Sequence, residues 1–123
     1  MKRAKGIKGK LDKLVGAYVR ERMSGGRCMA SGYGDMRCSP QKQWCHIRSR
    51  RYLSTRWELC NALCMCAAHH RYFTNNPTDF THMIEERYPE KLSELNMKWM
   101  RVSKVRETDM KDLYSKLKVE LNA

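Results

Sequence analysis

Residues 63–74 read LCMCAAHHRYFT, which sets two cysteines and two histidines within a seven-residue window. On a helix, Cys66 and His69 are three apart and share a face, so both can reach one metal ion. His70 is turned by about 100° from His69, because an α-helix has about 3.6 residues per turn. Adjacent helical histidines therefore serve two centres better than one. The pattern predicts a structural zinc site using Cys66 and His69, with His70 facing a second centre.

A structural zinc ion takes four ligands. Cys28 and Cys38, in the turn-rich segment before the first expected strand, are the best-placed remaining pair. Their spacing is wider than a usual knuckle, so Cys64 stays in reserve, and Cys45 and Cys60 are expected to pack as small hydrophobes. A chain of 123 residues makes one thin core that a metal would help to hold. The basic opening MKRAKGIKGK has no apolar run behind it, and the longest apolar run, residues 62–68, is far too short to span a bilayer. We therefore expect a cytoplasmic protein without a membrane role, in which six cysteines are metal ligands or thiols rather than a disulfide framework.

The charge is unevenly placed. Residues 1–27 carry nine Lys/Arg against Asp12 and Glu21, and residues 28–76 carry seven against Asp35 and Glu58. Residues 77–123 carry nine of each sign, so the whole excess of +12 lies with the Cys/His cluster. A basic field around a candidate site suits a polyanion, with nucleic acid first. A solvated basic surface is the plainer alternative.

Periodicity divides the chain further. Residues 1–10 read as a flexible basic arm, followed by a helix carrying Leu11, Leu14, Val15, Tyr18 and Val19 on one face and ended by Ser24-Gly25-Gly26. Residues 28–40 read as turns, the segment around Trp44 and Ile47 as one hairpin strand, residues 53–61 as a loop, and residues 62–64 as a second short strand. A helix should start near Met65 and run to about Phe73. Asn76-Pro77 and Pro89 open two more helices. Leu92, Leu95, Trp99 and Val102, then Met110, Leu113, Leu117 and Leu121, keep helical spacing and suit packing on the core or a partner.

These residues also carry a resemblance. The string QWCHIRSRRYLSTRWELCNALCMCAAHHRYFTNNPTDF, residues 43–80, resembles the HNH (ββα-metal) endonucleases of phages and prophages. The similar subgroup carries an added zinc knuckle and is related to recombination nucleases of the NinG type. Its pattern runs Cys-x2-Cys-Gly, His-Ile-x-Ser-Arg-Arg-Tyr, Arg-Trp, Asn-Ala-Leu-Cys and Cys-x2-Cys-His. The likeness spans residues 27–80, about half the chain, and the helix at residues 11–22 resembles the one before the knuckle in such proteins. It implies an α+β, mostly helical fold: a small ββα-metal core with a zinc knuckle, an N-terminal helix and C-terminal helices. The expected organisation is an arm at 1–10, a nuclease domain at 11–88 and a helical extension at 89–123.

By this resemblance His46, Asn61 and His70 take the three HNH positions. His46 would be the general base, Asn61 would hold the hairpin, and His70 would bind a catalytic ion such as Mg²⁺ or Mn²⁺. Arg48, Arg50, Arg51 and, more weakly, Arg56 would hold the DNA backbone. The structural zinc would lie on Cys28, Cys38, Cys66 and His69. Three departures stand out. Ser31 replaces the second knuckle cysteine, His69 replaces the last, and Cys45 stands before the base, where a ligand for the catalytic ion is often found. The implied function is a metal-dependent DNA endonuclease, phage-encoded and acting in recombination, repair or processing in the host cytoplasm. Its partners would be DNA and either a second copy of the chain or a DNA-processing protein. The competing readings are a zinc-stabilised DNA-binding or accessory module with little or no cleavage, and an interaction factor working through the C-terminal helices.

Overall fold

The computed structural model describes residues 6–99 and 104–122. Its architecture is mostly helical, with one two-stranded antiparallel sheet: α1 (Gly6–Glu21), β1 (Lys42–His46), α2 (Leu53–Arg56), β2 (Ala62–Cys66), α3 (Ala67–Asn75), α4 (Pro77–Arg87), α5 (Pro89–Trp99) and α6 (Glu107–Asn122). Among the described residues no helix is long and apolar enough to cross a membrane.

The predicted stripe on α1 is real: Leu11, Val15 and Val19 are fully buried, with Leu14 and Tyr18 packed at the margin. The helix starts at Gly6, so residues 6–10 extend α1 instead of belonging to a flexible arm, and residues 1–5 lie outside the described residues. Ile7 packs against the core, which explains the extra turn. A 3-10 turn over Met23–Gly26 then reverses the chain with Ser24, Gly25 and Gly26 all at positive φ. Glycine enters that region without steric cost, whereas Ser24 is held there.

β1 and β2 pair from Lys42↔Cys66 to His46↔Ala62. Every residue of β2 is buried, so the pair is the floor of the core, with α1 packed on it. Gly16 makes this possible, since a Cβ there would lie 3.3 Å from Trp44 Cε3 and 2.9 Å from the Arg20 guanidinium.

Residues 53–61 are more ordered than the loop expected of them. They fold as the single turn α2 and a 3-10 turn, Leu59–Asn61, because Thr55, Trp57 and Cys60 are buried there. α3 begins at Ala67, not near Met65, since β2 continues to Cys66. Asn76 and Pro77 separate α3 from α4, and Pro89 opens α5, as their chemistry predicts. Asn76 makes no side-chain cap to the start of α4; its amide instead donates to the Tyr72 carbonyl in the last turn of α3 at 2.8 Å.

On α5, Leu95 is buried and Leu92 half-buried, while Val102 and the side chain of Trp99 lie outside the described residues. α6 packs on α1 through Met110, Leu117 and Leu121, which join the same core cluster as Leu11 and Val15.

Candidate metal centre and the cleft beside it

Four side chains converge at the end of the hairpin where β2 meets α3. The ligand atoms of Cys28, Cys38, Cys66 and His69 all lie within 4.8 Å of one another. Around His69 Nδ1 stand Cys66 Sγ at 3.1 Å, Cys38 Sγ at 3.7 Å and Cys28 Sγ at 3.8 Å. Tetrahedral zinc with Zn–S near 2.3 Å and Zn–N near 2.05 Å needs S···N edges of about 3.6 Å. The three distances bracket that edge, so the cluster could hold a metal ion such as zinc as a Cys3His site. Cys38 completes it, despite its long spacing from Cys28.

The reserve candidates fall elsewhere. Cys64 shares a strand face with Cys66, but two residues along a strand is about 6.6 Å, and its Sγ is directed at the Arg20 carbonyl, 3.9 Å away. Ser31 is exposed, and its carbonyl accepts from Arg87 at 2.9 Å.

Local structure explains why Cys66 is suited to bind. It is the N-cap of α3 rather than a residue within it, and its Sγ accepts from the His69 backbone N–H at 3.4 Å. Ser39 Oγ accepts from Ala68 N at 3.0 Å, tying the knuckle loop to the same helix end. Burial raises the Cys66 thiol, but hydrogen bonds from His69 and Ser39 outweigh it and bring it down to about 6. A helix N-terminus favours thiolate in the same direction. His69 is fully buried with Nε2 unpartnered, so only Nδ1 has polar company, and that company is three sulfurs.

His70, one residue on, faces a cleft of about 490 Å³ with Arg20, Lys42, Gln43, Trp44, His46 and Arg50 on its walls. Hydrogen bonds set the two histidines in opposite tautomers. The Arg56 carbonyl accepts from His46 Nε2–H at 3.0 Å, leaving the lone pair on Nδ1. Gln43 Oε1 accepts from His70 Nδ1–H at 2.7 Å, leaving the lone pair on Nε2. Burial pushes the His46 imidazole from its ordinary value down to about 4, and burial also lowers His70, so both shifts favour the neutral ring. The rings of His46 and Trp44 lie 4.4 Å apart.

Asn61 is fully buried behind this cleft. Its Oδ1 accepts from Arg48 N at 2.6 Å, and its Nδ2 donates to the carbonyls of Arg48 (3.2 Å) and Thr55 (3.0 Å). It thus clamps the start of the inter-strand segment to the turn that presents the Arg56 carbonyl to His46.

The arginines separate by environment. Arg50 lines the cleft and Arg51 is exposed, lying over the Tyr52 ring. Arg48 donates to Asn96 Oδ1 at 2.8 Å, which ties it to α5. Arg56 does not fit the role of a backbone contact: it is 8% exposed, and its guanidinium is committed to Asp12. Cys45, the residue before the expected base, is buried in the core with its thiol pushed up to about 12 by desolvation, so it offers the cleft no ligand. Cys60 is buried as well, but outside the core cluster, where desolvation and the neighbouring Glu94 push its thiol up to about 12.

Arg20, Lys42 and Gln43 are cleft residues that sequence reasoning missed. A period-two reading of β1 would have found Lys42, which shares a face with Trp44 and His46, but not Gln43, which alternates with them, and Arg20 enters only through the packing of α1 on the strand. No family model, curated protein or solved structure matches the chain.

Proposed function

We propose that this chain is a metal-dependent DNA endonuclease of the HNH kind, hydrolysing phosphodiester bonds in phage recombination, repair or processing. The observation that carries the reading is the pairing of His46 and His70 on one basic cleft with complementary lone pairs. Nδ1 of a neutral imidazole is free to take the proton of a water molecule attacking phosphorus. Arg20, Lys42 and Arg50 provide cations for the non-bridging oxygens, and among the described residues no carboxylate lines the cleft to repel them.

Nε2 of His70 would hold a divalent ion, with water and phosphate oxygens filling the remaining positions. When bound, such an ion supplies charge stabilisation to the oxygens that become more negative. Asn61 keeps the inter-strand segment in register with His46. The Cys3His cluster would hold zinc as a structural ion. Cutting both strands of a duplex together calls for a second copy.

One observation favours a second reading, a zinc-stabilised DNA-binding or accessory module. With Cys45 buried and no carboxylate on the cleft among the described residues, His70 alone would anchor the catalytic ion, a sparse site for Mg²⁺.

The deciding experiment incubates the protein with supercoiled plasmid and with a branched DNA, each in Mg²⁺, Mn²⁺, Ni²⁺ or EDTA, beside His46→Ala. Metal-dependent nicking is expected, falling by about 10²–10⁴-fold in the variant while DNA binding persists. Shifted but uncut DNA in every condition sinks the nuclease and leaves the binding module.

A further inference from the structure

Asp12 lies on α1, outside the hairpin, and the resemblance that singled out His46 gives it no role. Its carboxylate accepts four hydrogen bonds from three side chains. On Oδ1 these come from Trp57 Nε1 at 2.8 Å and Arg56 Nε at 3.0 Å; on Oδ2 they come from the other arm of Arg56 and from Arg50 at 3.4 Å. All three donors belong to the segment joining β1 to β2 that forms a wall of the cleft. Charge balance alone would be met by one partner. The fork on Arg56 does more, because a bidentate pair fixes the guanidinium plane and so holds the last turn of α2. That turn ends in the carbonyl that accepts from His46 Nε2–H at 3.0 Å. Oδ2 also holds Arg50, which lines the same cleft.

We propose that Asp12 is a positioning residue for His46: through Arg56 it fixes the carbonyl that sets the imidazole tautomer, and through Arg50 it aims a phosphate-facing cation. What His46 is positioned to do rests on the nuclease reading; the linkage from α1 to the ring does not. With the Asp12 charge removed, the Arg56 guanidinium, whose side chain is only 10% exposed, is left uncompensated and moves toward water, carrying its own backbone with it.

The test is Asp12→Asn, which keeps the side-chain volume. Zinc-loaded protein with ¹⁵N-labelled histidine reports, by two-bond ¹H–¹⁵N correlation at pH 7, which ring nitrogen of each histidine carries the proton. His46→Ala assigns the signals. In the parent protein His46 carries its proton on Nε2. In Asp12→Asn the His46 pattern shifts to an average of both tautomers, while bound zinc and the His69 and His70 signals stay unchanged. Nicking falls by about 10–100-fold, the usual cost of losing an outer hydrogen-bond partner of a functional histidine. Asp12→Glu restores part of both.

An unchanged His46 spectrum in the folded, zinc-loaded variant overturns the proposal. Should Asp12→Asn not retain zinc, Arg56→Lys decides. It keeps the charge and the carbonyl but gives up the fork, and an unaltered His46 tautomer there is equally fatal. If the parent protein cuts no DNA, the nuclease reading fails, while the tautomer measurement still decides the role of Asp12.

Discussion

His69 and His70 are neighbours on α3, yet their surroundings differ in nearly every way that governs what an imidazole can do. His69 is sealed in the core, with three sulfurs around one ring nitrogen. His70 stands on the wall of an open cleft, held by a neutral amide and facing a second imidazole and three cations. The first arrangement brings together four ligand atoms, as many as a structural zinc ion takes. The second leaves the ring on an open, basic wall. A rotation of about 100° between successive helical residues is enough to set the Cys3His cluster apart from the cleft.

The largest test of this division is Cys66→Ser. It removes a metal ligand and the α3 cap together, so bound zinc should fall from about one per chain toward zero. Loss of about 3 kcal/mol would lower the melting temperature of a domain this size by roughly 10 °C or more. Metal analysis and calorimetry check both, and full zinc content in a stable variant would remove Cys66 from the site. His70→Ala should do the opposite, leaving zinc and melting unchanged while cleavage drops by roughly 10²-fold, since an ion's charge stabilisation is worth several kcal/mol. Zinc loss in His70→Ala would merge the two centres into one.

Asn61→Ala probes what lies between them. It strands the buried Thr55 carbonyl, costing about 1–3 kcal/mol, and half-buried backbone groups of Arg48, so urea midpoints should fall while zinc stays bound. A variant as stable as its parent would mean that the clamp is dispensable. The smallest effect belongs to Arg50→Gln. It should flatten the slope of log affinity for DNA against log salt by about 0.9, and an unaltered slope would take Arg50 off the phosphate path.

How far these features were legible in the sequence follows from the range of the interactions that make them. Cys66 and His69 are three residues apart, so local geometry alone places them together, even though Cys66 turned out to cap the helix rather than to lie within it. The hairpin, the proline-started helices and the apolar stripe of α1 were likewise readable from local pattern. Cys28 and Cys38 were found by elimination, and it takes the fold of the knuckle loop to show why a wide spacing still closes the site. Asp12 was invisible for the opposite reason. Its partner Arg56 is 44 residues away, on a segment that looked like a loop, and an Arg beside a Trp reads as surface until a half-buried carboxylate is found beneath it. The start of α1 was missed because the glycines and lysines of residues 6–10 hide one apolar anchor, Ile7.

The four ligands of the metal centre are unequally sheltered: Cys28, Cys66 and His69 are buried, whereas Cys38 is exposed. Reagents that attack sulfur depend on access as well as on thiolate character. A metal held here would thus have one vulnerable bond and three protected ones. Its departure would begin at Cys38 and could be undone at that point, because the remaining three ligands still mark the place to which the loop returns. The lifetime of such an ion would therefore depend on the loop that carries the exposed Cys38 more than on the core beneath it.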